Sequence, residues 1–120
     1  KKLLDALPSL GRLRIAVFLN RAQVCFRQGW LMACIKDCSC SIVEHSRNEE
    51  QDKRLYCKAL AWRARTWACV GFCAHAVKDC DQVLCMATAD KELACSDLVA
   101  SMQKLKKDIA TRAHTHLHSW

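Results

Sequence analysis

Apolar residues recur at intervals of three and four along most of this 120-residue chain, which is the spacing of one face of an α-helix. Pro8 interrupts the pattern, so residues 1–8 are interpreted as the end of a preceding helix, and Ser9 can cap the next one. Residues 113–120 show no apolar periodicity and are interpreted as a tail. The pattern predicts helices over about 10–28, 30–44, 46–70, 72–86 and 90–112.

Two predicted helix starts carry capping signals. Ser46 and Glu49 have the spacing of a capping box, so we expect the third helix to open at Ser46. Asp90 is a good N-cap residue and predicts the start of the last helix, which runs to about Arg112.

The segment 21–38 recurs as 63–80, at an offset of 42 residues. An Arg-Ala pair, a glycine, the aromatic residue after it and a β-branched-Lys-Asp-Cys run all stand in register. Gly29 and Gly71 occupy the same place in each copy, between two helical patterns, where a residue with positive φ is needed. Each copy is therefore predicted to be a helix, a tight turn and a second helix.

Composition supports helices and one domain. Three glycines and one proline are too few for the turns of a β-sandwich or barrel, and 52% hydrophobic residues exclude a disordered chain. We predict an all-α fold of antiparallel helix-turn-helix repeats closed by a capping helix. Its predicted units within 1–120 are a first repeat, a second repeat and a capping helix, at 10–45, 46–87 and 90–112.

Ten cysteines could indicate disulfides, a metal site or buried thiols. The chain has no CxxC pair, and no His stands at zinc-finger spacing from Cys38 and Cys40. Cys34 and Cys38, and then Cys69, Cys73 and Cys80, are spaced as on one helix face, so buried reduced thiols are the favoured interpretation. We therefore expect no metal or cofactor and, since no secretory signal is evident, a cytoplasmic location.

The formal net charge is +7, from 19 Lys and Arg against 12 Asp and Glu, which favours acidic partners. The charges are dispersed, and the densest basic run is interpreted as a solvated helix face; nucleic acid is therefore an unlikely partner. No apolar run has membrane-spanning length, so no membrane is expected. Alternating histidines in the tail could bind nickel or zinc adventitiously: His114, His116 and His118.

Catalysis is not expected. The Cys/His neighbours along the chain, Cys38 with His45 and Cys73 with His75, have no further signature of a thiol nucleophile. The two aspartates of the repeat stand at equivalent positions, which marks repeat structure and not an acid/base pair.

Small residues at two fixed positions of each unit give the chain a family resemblance. Ala22 and Ala64 stand at the eighth position of the first helix, and Cys34 and Ala76 stand where the two helices touch. This arrangement resembles the tetratricopeptide repeat, a helix-turn-helix family whose arrays form an α-solenoid. The stretches 19–22, 35–38 and 58–60 resemble its co-chaperone subgroup, and 90–109 resembles the helix that ends such arrays.

The offset of 42 exceeds the 34 residues of that family's repeat, and the extra residues lie around 46–54. Some dynein-arm assembly co-chaperones resemble the chain in this extension. The resemblance covers two repeats and a cap, with no earlier helix pair beyond the short segment 1–8.

The resemblance implies a groove lined by the first helix of each repeat, in which four positions of each helix point at a ligand. These are Ala16, Asn20, Gln23 and Arg27 in the first repeat and Lys58, Trp62, Arg65 and Cys69 in the second. The polar and aromatic members form the candidate site: Asn20, Gln23, Arg27, Lys58, Trp62 and Arg65.

Chaperone-binding members of the family hold the acidic C-terminal tail of a heat-shock chaperone in a carboxylate clamp. Asn20 matches the clamp Asn and Lys58 the clamp Lys, whereas Trp62 stands where the clamp Arg is usual. We expect a protein-interaction adaptor without catalytic activity that binds a peptide or protein and is linked to chaperones. The alternative is a self-association or scaffold module, as in cytoskeletal or dynein-arm assembly, with a homodimer formed through apolar residues at the start of the chain: Leu3, Leu4, Leu7 and Leu10.

Overall fold

The computed structural model describes residues 10–48, 52–94 and 96–118, with side chains described as far as residue 112. All regular secondary structure in these ranges is helical, as predicted. The six helices are α1 (Leu10–Arg27), α2 (Leu31–Arg47), α3 (Lys53–Cys69), α4 (Cys73–Thr88), α5 (Lys91–Ala94) and α6 (Asp97–His118).

The helices pack as adjacent pairs. α1 packs on α2, α2 on α3, α3 on α4, and α4 on both α5 and α6. α3 also contacts α1 and α6, so these three helices lie next to one another along one side of the molecule. We call this side the α1–α3–α6 face.

Both helix-turn-helix units turn at a glycine with positive φ, as the sequence predicts. φ is +80° at Gly29 and +91° at Gly71. Gly29 N donates to the Phe26 carbonyl and Trp30 N to the Cys25 carbonyl, which is the hydrogen-bond pattern of a Schellman motif, and the second turn repeats it. A Cβ at either glycine would meet no atom within 4 Å, so the backbone angle alone requires glycine.

An Arg–Asp pair joins the two helices of each unit. Arg21 donates to both carboxylate oxygens of Asp37 at 2.9 and 2.8 Å, and Arg63 does the same with Asp79 at 2.7 and 2.8 Å. Both aspartates are buried, and the hydrogen bonds raise the pKa of each arginine. The repeat therefore preserves a specific ion pair that the sequence pattern shows only as two recurring residues.

Small residues at the helix contacts are fully buried in both units, as the repeat predicts. They are Ala22, Cys34 and Cys38 in the first unit and Ala64, Ala76 and Cys80 in the second. Every cysteine of the described residues is a free thiol. Burial raises the pKa of Cys57 and of Cys80 to about 11, so these thiols stay protonated and act as small apolar side chains.

The predicted capping box at Ser46 is wrong. α2 continues through Ser46, whose hydroxyl donates to the Val43 carbonyl one turn back, a local bond that serine can make inside a helix. α3 begins at Lys53, and Asp52 caps it by accepting a hydrogen bond from Leu55 N at 3.1 Å. Glu49 lies outside the described residues.

The last predicted helix is two helices. Asp90 is an N-cap as predicted, because its carboxylate accepts from Leu93 N at 3.2 Å, but the helix that it caps is the short α5. α6 then starts at Asp97 and extends to His118, so most of the predicted tail is helical. The segment 1–8, predicted to end a preceding helix, lies outside the described residues.

Two cysteines predicted on a buried stripe are exposed. Cys69 and Cys73 flank the α3–α4 turn, where the ends of the two helices project into solvent. Phe72 lies in the same turn and is also exposed, although its ring contacts that of Trp67 edge to face at a centroid distance of 5.5 Å.

Candidate functional site

The candidate residues all belong to α1 and α3, which are neighbours on the α1–α3–α6 face. At 100° per residue, Asn20, Gln23 and Arg27 fall within about 60° of one another around α1, and Lys58, Trp62 and Arg65 do the same around α3. On α1 the stripe lies away from the buried side, which is centred on Ala22; on α3 it lies between two buried sides, one around Ala64 and one that contains Ala59 and Thr66.

Trp62 is the aromatic centre of the site. Its indole packs on the ring of Phe26 from α1 in an edge arrangement, with centroids 5.3 Å apart at 66°. The guanidinium of Arg65 lies over the indole at 5.1 Å from the ring centre. Trp62 is half-buried, so an apolar cluster holds one part of the indole while another part remains accessible. The sequence-predicted residues Trp62 and Arg65 are therefore in contact, and Phe26 joins them from the neighbouring helix.

Lys58 and Arg65 each border a depression between α3 and the C-terminal helices. The one at Lys58 has a volume of about 380 Å³ and is lined by Arg54, Lys58, Leu93, Ser96, Asp97 and Leu98. The one at Arg65 has a volume of about 300 Å³ and is lined by Arg65, Ser101, Lys104, Leu105 and Asp108. Four cations and two carboxylates border the two depressions, so this part of the face favours an anionic ligand.

The α1 part of the site is polar and open. Asn20 and Arg27 are exposed and Gln23 is half-buried. In the described part of the chain, Asn20, Gln23, Arg27 and Lys58 make no ion pair or side-chain hydrogen bond. Their amide and cationic groups are therefore available to donate to a ligand that lies across α1 and α3.

Residues of α5 and α6 complete the face and were not predicted. Ser101, Lys104, Leu105 and Asp108 follow one another at intervals of three, one and three, which places them on one side of α6. That spacing was visible in the sequence, but which side of the last helix turns toward α3 depends on how α6 packs on α4.

Comparisons with protein-family models, with curated proteins and with solved structures gave no match.

Among the described residues, no three or more His, Cys, Asp or Glu side chains are grouped as a metal site would require. Within the same residues, no helix has both the length and the apolarity needed to span a membrane.

Proposed function

We propose that the domain is a protein-interaction adaptor of the tetratricopeptide type, whose α1–α3–α6 face binds an extended acidic peptide or a protein segment. The observation that carries the proposal is the arrangement around Trp62, where an aromatic surface anchored by Phe26 lies under the Arg65 guanidinium. Such a surface can cover an apolar side chain of a ligand while the cation binds a neighbouring carboxylate.

The charges around Trp62 support an acidic ligand. Lys58 lies one turn before the indole, Arg65 lies on it, and Lys104 faces Arg65 across the depression at α6. Asn20 occupies the position of Trp62 in the first repeat and can donate an amide N–H at the α1 end of the face. A ligand with a free C-terminal carboxylate and acidic side chains matches these donors, and the acidic tail of a cytoplasmic heat-shock chaperone is the proposed example.

The proposal is tested by titrating the protein with a short peptide that ends in acidic residues and a free carboxylate, and with the same peptide amidated. We expect the free carboxylate form to bind at least tenfold more tightly, because charge-assisted hydrogen bonds to the terminus are lost on amidation. Equal affinity for the two peptides, or no binding by either, would contradict a carboxylate-binding face.

Two matched variants locate the binding. Lys58→Ala is expected to weaken binding about tenfold. Lys106→Ala removes the same charge from α6, at a side chain that pairs with Asp81, and is expected to leave binding unchanged. If both variants bind alike, the ligand is attracted by the net charge of the protein and not by this face.

A further inference from the structure

α1 carries a row of exposed apolar side chains that is separate from the candidate site. Leu10, Leu13, Val17 and Val24 are all exposed and recur at helical spacing. Around the helix axis this row is centred about 80° from the row that contains Asn20 and Arg27. We call it the open α1 face.

The second repeat shows what covers the same face there. Ala59 and Thr66 stand 42 residues after Val17 and Val24 and are 0% exposed, whereas Val17 is 60% and Val24 is 51% exposed. The difference arises because α2 lies across α3, while no described helix lies across the equivalent surface of α1. The open α1 face is therefore the surface that takes a preceding helix in this repeat plan.

The register of α2 on α3 is set by three contacts. The rings of His45 and Tyr56 stack with centroids 4.5 Å apart. Ser39 accepts a hydrogen bond from Arg63 at 3.2 Å, and Cys34 Sγ lies 3.3 Å from Thr66 Oγ1. The contacts pair rising numbers on α3 with falling numbers on α2, so the two helices are antiparallel.

Subtracting the repeat offset of 42 from these α3 residues gives the α1 residues that a helix on the open α1 face would contact. The residues of α1 equivalent to Tyr56, Arg63 and Thr66 are Arg14, Arg21 and Val24. On α1, Arg14 takes the place of Tyr56 and Val24 that of Thr66, while the arginine is retained as Arg21. The side chains of Arg14 and Arg21 pair with Glu44 and Asp37 but are still 56% and 60% exposed.

The charge of α1 favours an acidic helix over a second copy of this chain as the ligand of the open α1 face. α1 contains four arginines and no acidic residue. Arg14 and Arg21 border the open α1 face, so a second copy that paired α1 with α1 would bring these two arginines of each copy together. In its described part, α6 offers no large exposed apolar side chain for head-to-tail stacking. An acidic helix is attracted by the same arginines.

A depression beside the open α1 face has room for side chains of such a helix. It has a volume of about 350 Å³ and lies between α1 and α2, with Phe18 in its wall; its lining residues are Arg14, Phe18, Lys36, Ser39, Cys40, Val43, Glu44 and Arg47. The equivalent of Phe18 in the second repeat is Leu60, which is buried.

We propose that the open α1 face binds an amphipathic α-helix of another protein, antiparallel to α1 as α2 is to α3, with an apolar stripe and acidic residues that meet Arg14 and Arg21. This surface is separate from the α1–α3–α6 face, so the proposal does not rest on the proposed function.

The structure itself supplies the probe. It is a synthetic peptide of residues 31–47 with its three cysteines replaced by alanine and with Ser39→Glu and His45→Glu, which place carboxylates opposite Arg21 and Arg14. The control peptide carries Ser39→Lys and His45→Lys instead. Calorimetric titration into the full chain is expected to give at least tenfold tighter binding of the acidic peptide. Equal affinities, or no binding of the acidic peptide at millimolar concentration, would overturn the proposal.

Protein variants then locate the peptide. Val17→Asp and, separately, Val24→Asp are expected to weaken binding at least tenfold; both sites are exposed, so the fold is retained, as circular dichroism can verify. Cys85→Asp adds the same charge at an exposed site of α4 and is expected to have no effect, as is Lys58→Ala.

Loss of binding in Lys58→Ala with full binding in Val17→Asp would place the peptide on the other face and overturn the proposal. Sedimentation that shows a dimer abolished by Val17→Asp would assign the face to a second copy and overturn it equally.

Discussion

The two helix-turn-helix units of this chain are built alike and covered differently. Both turn at a glycine with positive φ, both bury small residues between their helices, and both join those helices with a bidentate Arg–Asp pair. In the second unit Arg63 is largely enclosed, with 22% of its side chain exposed, whereas Arg21 is mostly in solvent. The difference comes from the neighbours of each unit and not from its own residues.

This contrast separates two roles of the same sequence motif. The residues that define a unit, such as Asp37 and Asp79, are buried by the partner helix within the unit and are independent of its neighbours. The residues that face a neighbouring unit, such as Val17 and Ala59, differ in type and in exposure. The first set indicates how the chain folds, and the second indicates where it has surface left to bind.

The largest expected effect is on the enclosed ion pair. Asp79→Ala leaves the Arg63 guanidinium partly buried without its carboxylate and is expected to lower the free energy of unfolding by about 3 kcal/mol. Asp37→Ala makes the matching change in the first unit, where Arg21 can be hydrated, and is expected to cost clearly less. Urea unfolding of both variants measures the two losses of unfolding free energy. Equal losses would show that the burial of Arg63 by α2 does not affect the ion pair.

A smaller and equal effect is expected at the two turns. Gly29→Ala and Gly71→Ala each place a Cβ on a left-handed backbone and are expected to cost about 1–2 kcal/mol, with no steric contribution from neighbours. The two losses should agree, because both turns have the same hydrogen bonds. A thermal unfolding series checks this; a clearly larger loss at one glycine would mean that the two turns are not equivalent.

The smallest expected effect is the pH dependence contributed by His45, which stands where the second unit has Ala87. Burial lowers the pKa of His45, although the Asp52 carboxylate acts in the opposite direction. A histidine with a lowered folded-state pKa binds its proton more readily when unfolded. The contribution of neutral His45 to the free energy of unfolding is therefore complete above its pKa in the unfolded chain, about 6.5, and declines as the pH falls through that value.

The measurement is the slope of unfolding free energy against pH between about 7.5 and 5.5. His45→Gln is expected to flatten the slope, by less than about 1 kcal/mol over the range. An unchanged slope in His45→Gln would show that another group is responsible.

The sequence predicted the two helix-turn-helix units but not where several of the helices begin and end. The two glycines, the small residues and the helical class follow from local periodicity and backbone preference, and the structure has them as predicted. The start of α3 was misplaced because Ser46 and Asp52 are both acceptable caps, and only the extent of α2 decides between them. The break between α5 and α6 was missed for a similar reason, since a helical pattern continues across it.

The candidate site likewise has a part that the sequence predicts and a part that depends on contacts between helices. Lys58, Trp62 and Arg65 were chosen from the resemblance, and they lie on one stripe of α3. The edge contact between Phe26 and Trp62, and the part that Lys104 plays, depend on how separate helices meet, which spacing along one helix cannot reveal. The Arg–Asp pairs were likewise invisible as pairs, although both members recur at the offset of 42.

Amide hydrogen exchange tests most directly whether the two units have the same internal structure but differ in how much of their first helix is buried by neighbouring helices. α1 packs mainly on α2 and leaves one face open, whereas α3 lies between α2 and α4. The account predicts that the central amides of α1 exchange at least tenfold faster than those of α3 in the free protein. Equal protection of the two helices would contradict it, because the open α1 face would then be as well covered as its counterpart on α3.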